Sequence, residues 1–191
     1  MLDQLSDVSV DVEYLPASLH NRPSLIPDRV RKALDGALYS SVSLGYADCG
    51  TGGLLDAIIA EMALSGRHLT RLPGAHCYEF FTGAADFAAL HEAEPGTFFL
   101  TDFLVRQFDQ LVMVGLGLDK HPELRDTYFG NYTRVVLITQ TPGDNLVKMG
   151  RKAAAQLGLA FEHRHVGLVP FNEVFIDSIR PRVSTATETT V

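Results

Sequence analysis

The residues able to do chemistry gather where this chain turns. Cys49 stands in Tyr46-Ala47-Asp48-Cys49-Gly50-Thr51-Gly52-Gly53, between the apolar run Val42–Tyr46 and a helical pattern over Leu54–Leu64. A strand feeding a glycine-rich turn and then a helix puts backbone N–H groups and a helix N-terminus at the carboxyl edge of a sheet. That is a place suited to holding an anion. A second thiol, Cys77, follows His76 in a later loop.

Three chemistries are open to these residues. The first is a metal. Cys49, His76 and Cys77 are soft and borderline donors of the kind zinc or another transition metal takes. Cys49 with His76 or Cys77, joined by Asp48, Glu79 or Asp102, would form a three-ligand site with an open position. His76 and Cys77 are adjacent, so only a turn lets both converge. The second is nucleophilic catalysis by Cys49, with His76 as base and Asp102 orienting that base. A thiol just before a helix N-terminus is expected to have a lowered pKa, and N–H groups from Gly50 to Gly53 would form an oxyanion hole. The third is a cradle of Gly50, Thr51, Gly52 and Gly53 for a phosphate or carboxylate. It lacks the lysine of a P-loop and the Gly-x-Gly-x-x-Gly spacing, which disfavours NAD and nucleotide hydrolysis. His20, Asn21, Arg22, Asp48 and Glu79 are expected to face a small-molecule substrate. The bland alternative makes Cys77 a small buried apolar residue, His76 a structural hydrogen-bonding group, and the glycines a tight turn.

These residues need elements to hold them. Val8, Val10, Val12 and Tyr14 alternate with polar residues and predict a strand. Pro27 at a first helical turn, then Val30, Ala33, Leu34 and Leu38, predicts a helix. Strands are expected at Val42–Tyr46, weakly at Arg67–Leu72, and then at Thr97–Leu100, Val135–Ile138 and from Leu159. The continuous apolar run Val135–Ile138 suits the middle of a parallel sheet. Helical stripes fall between them: Ile58 to Ala63, a short piece around His76–Phe81, Phe87 to Leu90, Phe103 to Leu111 behind an Asp102 cap, Asp144 to Leu157, and Phe171 to Ile179. Alternating strands and helices predict one three-layer α/β domain, Rossmann-like, with a mainly parallel sheet over residues 1–180. Residues 181–191, rich in Ser and Thr, are expected to be disordered. Ligands of such sheets bind beyond the carboxyl ends of the strands. Four polar clusters fall at those ends: His20-Asn21-Arg22, Asp48-Cys49, His76-Cys77-Glu79 and Thr101-Asp102. Their convergence is the central structural expectation.

Composition narrows the function classes. A net charge of −7 with no basic block argues against nucleic acid as a partner. No apolar run approaches the roughly 18 residues of a membrane span. No basic-then-apolar leader follows Met1, so the cytoplasm is the expected compartment, where Cys49 and Cys77 would be reduced.

Several unusual motifs, in order, carry a resemblance. Leu19-His20-Asn21-Arg22-Pro23, Asp48-Cys49-Gly50-Thr51-Gly52-Gly53, Pro73-Gly74-Ala75-His76-Cys77-Tyr78-Glu79, Pro95 to Asp102 and His121-Pro122-Glu123-Leu124-Arg125-Asp126 resemble the "domain of unknown function 1638" family, from roughly Leu15 to Gly167. Its members often accompany corrinoid proteins and methyltransferases of one-carbon metabolism. The resemblance therefore implies a small-ligand or metal-binding protein beside corrinoid-dependent methyl transfer, meeting corrinoid only through a partner. The competing class it leaves is a non-catalytic accessory protein docking on a methyltransferase or corrinoid protein. Relatives begin with an earlier strand ending in an Ala-Cys-Gly-like turn. Against that resemblance this sequence starts later, and three readings stay open: a misassigned start, a trimmed sequence, or a member that has lost a strand and a cysteine.

Overall fold

The computed structural model describes residues 11–36, 39 and 41–179, the last three as backbone only. The fold is α/β and Rossmann-like, and among the described residues every strand pair is parallel. Strands β1 (Ser41–Leu44) and β2 (His68–Arg71) form one pair, joined by helix α2 (Leu54–Leu64). Strands β3 (Thr97–Thr101), β4 (Arg134–Thr139) and β5 (Ala160–His165) form a second sheet in that order. Among the described residues the expected single sheet is thus two.

Helices α3 (Cys77–Thr82) and α4 (Ala84–Ala93) connect the sheets. Phe81 of α3 packs into apolar clusters belonging to both, and the Tyr78 hydroxyl donates to the Phe99 carbonyl of β3 at 3.2 Å. After β3 come α5 (Asp102–Arg106), a π-helical turn (Asp109–Val114), a 3-10 turn (Pro122–Leu124) and α6 (Arg125–Phe129). Helix α7 (Asp144–Leu157) links β4 to β5, and α8 (Val169–Ile179) packs against α3 and both strands of the first sheet.

Burial follows the pleat. Phe99, Val136 and Ile138 face α3 and α4. Leu100, Val135 and Leu137 face the opposite layer, with Val105 of α5, Phe129 of α6 and Leu146, Ala153 and Leu157 of α7. Alternate residues of a strand point to opposite faces, so β4, buried throughout Val135–Thr139, is apolar on both faces from Val135 to Ile138. The first sheet packs Leu44 and Leu69 against α2 and helix α1 (Ile26–Leu34). At the amino ends, Arg134 of β4 reaches Glu162 of β5 at 2.7 Å and Thr97 of β3 at 2.9 Å.

The expected strands and helices from Val42 onward form, with shifted ends. The helix starts differ by one residue from those read in the sequence. Thr101, not Asp102, caps α5, its hydroxyl accepting from the Leu104 N–H at 3.3 Å. Gly143 rather than Asp144 precedes α7. The strand read from alternation at Val8–Tyr14 lies partly outside the described residues. Its remainder, 11–14, is neither strand nor helix, and Tyr14 is 88% exposed. Alternation there has no face to bury. Leu38 and the tail after Pro181 also lie outside the described residues.

Candidate functional site

The turn after β1 is built by Asp48. Its backbone carbonyl accepts from the Thr51 N–H at 3.0 Å. Its carboxylate accepts from the Gly53 N–H at 2.8 Å, the Gly52 N–H at 3.1 Å and the Thr51 hydroxyl at 2.9 Å. An aspartate bonding forward to its own backbone is a strong turn former. The N–H groups of the expected anion cradle therefore already hold an anion, the chain's own. These bonds, led by that from Gly53, keep the Asp48 carboxyl below the usual carboxylate range.

The turn runs left-handed. Gly50, Gly52 and Gly53 have φ of 80°, 64° and 82°, and Cys49 itself has φ 50°. Glycine takes such angles freely, whereas a residue with a Cβ does so at a cost of order 1–2 kcal/mol. Cys49 is the sole non-glycine residue with positive φ among the described residues. A side chain kept where glycine is cheaper points to a use for that side chain. Cys49→Gly is therefore expected to be more stable than Cys49→Ala by about 1 kcal/mol, the reverse of the usual order. Chemical denaturation of the two variants, both without a thiol, measures this directly.

The loop after β2 lies alongside. The Asp48 N–H donates to the Gly74 carbonyl at 3.1 Å and the Cys49 N–H to the Ala75 carbonyl at 2.9 Å. The parallel pairing thus continues past both strands. This brings the two thiols together: Cys49 and Cys77 join one apolar cluster with Ala47, Leu72 and Phe80, and the backbone at Cys77 hydrogen-bonds toward the Cys49 sulfur. Burial dominates both. It raises the Cys49 thiol above its ordinary value despite those backbone bonds, and pushes Cys77 up to about 12, helped by the neighbouring Cys49. The lowered thiol pKa expected from the helix N-terminus does not appear. Asp48 occupies that end of α2, and apolar packing penalises the thiolate.

Other expected partners turn elsewhere. His76 is exposed, its ring 6.4 Å from those of Tyr78 and Phe87, on the outer side of α3. Adjacent residues at a helix start point apart, and here Cys77 takes the inward side. Glu79 spends one carboxylate oxygen on the Ala75 and His76 N–H groups, at 2.8 and 3.1 Å, closing the start of α3. Asp102 is buried and accepts from the Gln140 N–H at 3.0 Å, the Thr141 N–H at 2.9 Å and the Thr141 hydroxyl. It locks the β4–α7 loop to the β3–α5 junction and makes no hydrogen bond to His76. Among the described residues, no three of His, Cys, Asp and Glu gather closely enough to hold a metal ion. The donor set thus does not fit a zinc site with three protein ligands, and what remains is a pair of thiols.

The His20 segment sits one loop away. A 3-10 turn (Ala17–Asn21) ends in it. The His20 ring is exposed, with Nδ1 2.9 Å from the Ala17 carbonyl and Phe103 of α5 at 5.7 Å. The Asn21 amide donates to the Leu111 carbonyl at 2.7 Å. Pro23 packs against Gly50, where a Cβ would lie 3.4 Å from its ring. Asn21 and Arg22 line a groove that contains no residue of the thiol loops. The single cleft expected from the sequence is therefore two neighbouring places.

One contributor has no signal in a motif. Arg71, at the end of β2, grips Asp56 of α2 with two bonds of 2.6 and 2.9 Å. It also donates to the carbonyls of Leu72 at 2.9 Å and Gly74 at 3.3 Å. Its charge draws on both Asp48 and Cys49. It holds the second loop against the first. The only hint in the sequence is an arginine directly before Leu72-Pro73-Gly74.

The profile of a family described as "Protein of unknown function (DUF1638)" matches residues 14–175. The chain belongs to that family. No curated protein and no solved structure matches it. The DUF1638 match spans both sheets, the two thiol loops and the His20 segment, so every part of the site lies inside the shared region. No helix among the described residues is long and apolar enough to cross a membrane.

Proposed function

We propose that this DUF1638 protein binds a small ligand at the carboxyl ends of β1 and β2, with Cys49 as the contact group. The observation that carries this reading is the left-handed Cys49, half-buried between two loops that Asp48, Glu79 and Arg71 hold in place. A thiol whose pKa is raised is a neutral, soft donor at pH 7 and not a ready nucleophile. This supports binding ahead of acyl-transfer catalysis. The ligand class is one that favours sulfur: a thiophilic metal ion brought with its own remaining ligands, or a group carried by a partner. A place beside corrinoid-dependent methyl transfer rests on the family resemblance alone.

Alkylation with iodoacetamide, resolved by site with mass spectrometry, tests the reading. Cys49 should label slowly at pH 7 and faster above about pH 9, with Cys77 lagging behind it at every pH. Labelling at pH 7 as fast as a free thiol would remove the buried-donor argument. Zinc(II), copper(I) and a methylated corrinoid protein are then added in turn. Protection of Cys49 by at least one is expected; protection by none of the three overturns the reading. The same thiols set an alkaline limit. The unfolded chain releases these protons at lower pH than the folded one, so stability is full below the ordinary thiol pKa and falls as pH rises through the folded values.

A further inference from the structure

Among the described residues the arginines are well employed, with two exceptions. Arg31 pairs with Glu61, Arg71 with Asp56, Arg125 with Asp126, and Arg134 and Arg164 with Glu162. Arg67 and Arg106 donate to backbone carbonyls, and Arg151 lies 5.0 Å over the Phe161 ring. The side chains of Arg22 and Arg29 have no carboxylate, carbonyl or ring partner among the described residues. Both line the same groove, of about 360 Å³.

The groove is formed by local structure. Arg22 precedes the 3-10 turn Pro23–Leu25, which runs straight into α1, and Arg29 lies on the first turn of that helix. Pro16, Leu19 and Leu25 supply apolar wall. Asn21 closes one end by its bond to the Leu111 carbonyl, and Gly115 leaves room for it, since a Cβ there would collide with the Asn21 amide. The volume falls within the range of small-molecule sites, roughly 300–1,000 Å³.

Two unpaired arginines line one groove, and in a chain of net charge −7 they are not needed for solubility. Guanidinium matches carboxylate and phosphate through paired N–H donors. We propose that this groove binds a small organic anion: an oxyanion head, carboxylate or phosphate, between Arg22 and Arg29, with a short aliphatic body against Pro16, Leu19 and Leu25. The groove shares no residue with the thiol loops, so this site stands whether or not Cys49 binds a ligand.

The test is a titration of the full chain, followed by heteronuclear NMR, with hexyl phosphate, hexanoate, inorganic phosphate and hexanol. One or both six-carbon anions should shift the amides of the Leu19–Arg29 segment, and hexanol should bind at least tenfold more weakly, as expected when a charge-assisted contact is lost. Which anion binds more tightly identifies the head group. R22Q and R29Q should each weaken binding roughly tenfold, with R22K and R29K retaining part of it. R151Q, on α7, should bind as the parent does. Circular dichroism guards against unfolding, which is not expected since both arginines are exposed. The proposal is overturned if neither anion binds at millimolar concentration, if hexanol binds as well as the anions, or if folded R22Q and R29Q match the parent.

Discussion

Replacing Asp102 with alanine is expected to lower the unfolding free energy by about 3 kcal/mol. The residue is 7% exposed, and its carboxylate takes the N–H groups of Gln140 and Thr141 together with the Thr141 hydroxyl. The hydroxyl is near solvent and finds water when its partner goes. The two N–H groups do not escape so easily: that of Gln140 is buried, and an orphaned buried donor costs roughly 1–3 kcal/mol. Asparagine does little better, because its amide sets a donor against a donor on one side. Urea denaturation should show a lower midpoint with an unchanged slope. The alternative role, orienting His76 for catalysis, predicts the opposite pattern: altered Cys49 reactivity with stability within about 1 kcal/mol of the parent.

Gly74→Ala is the second large effect, expected to cost about 2–3 kcal/mol. Gly74 has φ 91°, and a Cβ there would lie 2.7 Å from Oε2 of Glu79 and 2.9 Å from its Cδ. The Glu79 carboxylate must move, and it is the group that satisfies the Ala75 and His76 N–H donors. The Gly74 carbonyl meanwhile receives the Asp48 N–H and an Arg71 guanidinium N–H. Backbone strain, a displaced cap and a shifted acceptor thus meet at one residue between the two thiols. Thermal or urea unfolding measures the cost. Faster alkylation of Cys77 in the folded variant reports the loosened loop, and unchanged Cys77 labelling would mean that Gly74 does not hold it.

Both variants probe features that the sequence showed only as residue types. Strand positions were legible because periodicity survives in one dimension: Val135–Ile138 reads as a buried strand without any knowledge of its neighbours. The Asp48–Gly53 turn was legible as a turn, since glycines with a nearby aspartate have few other uses. What the Asp48 carboxylate would hold was not legible. A cradle waiting for a phosphate and a cradle filled by its own aspartate contain the same residues. The fates of His76 and Asp102 depend on which side of a helix start faces inward and on how the β4–α7 loop folds back, and no local pattern encodes either. The expected gathering of Cys49 with Cys77 holds because their loops follow adjacent parallel strands. The gathering of Cys49 with Asp102 does not, because Asp102 follows a strand of the other sheet.

That division into two sheets creates a problem that the chain has had to solve. An unpaired strand margin is a template for a strand of another molecule. Among the described residues β3 pairs only with β4, leaving one side open. The Tyr78 hydroxyl on the Phe99 carbonyl occupies an acceptor of that margin strand, and the stacked rings of Tyr78 and Phe87 stand beside it. The opposite margin, β5, carries Glu162, His163, Arg164 and His165, with the last three exposed. Charge guards one margin and an aromatic hydroxyl the other. The Tyr78 hydroxyl thus finds its partner on a margin strand, which accounts for a polar group standing in an otherwise apolar layer.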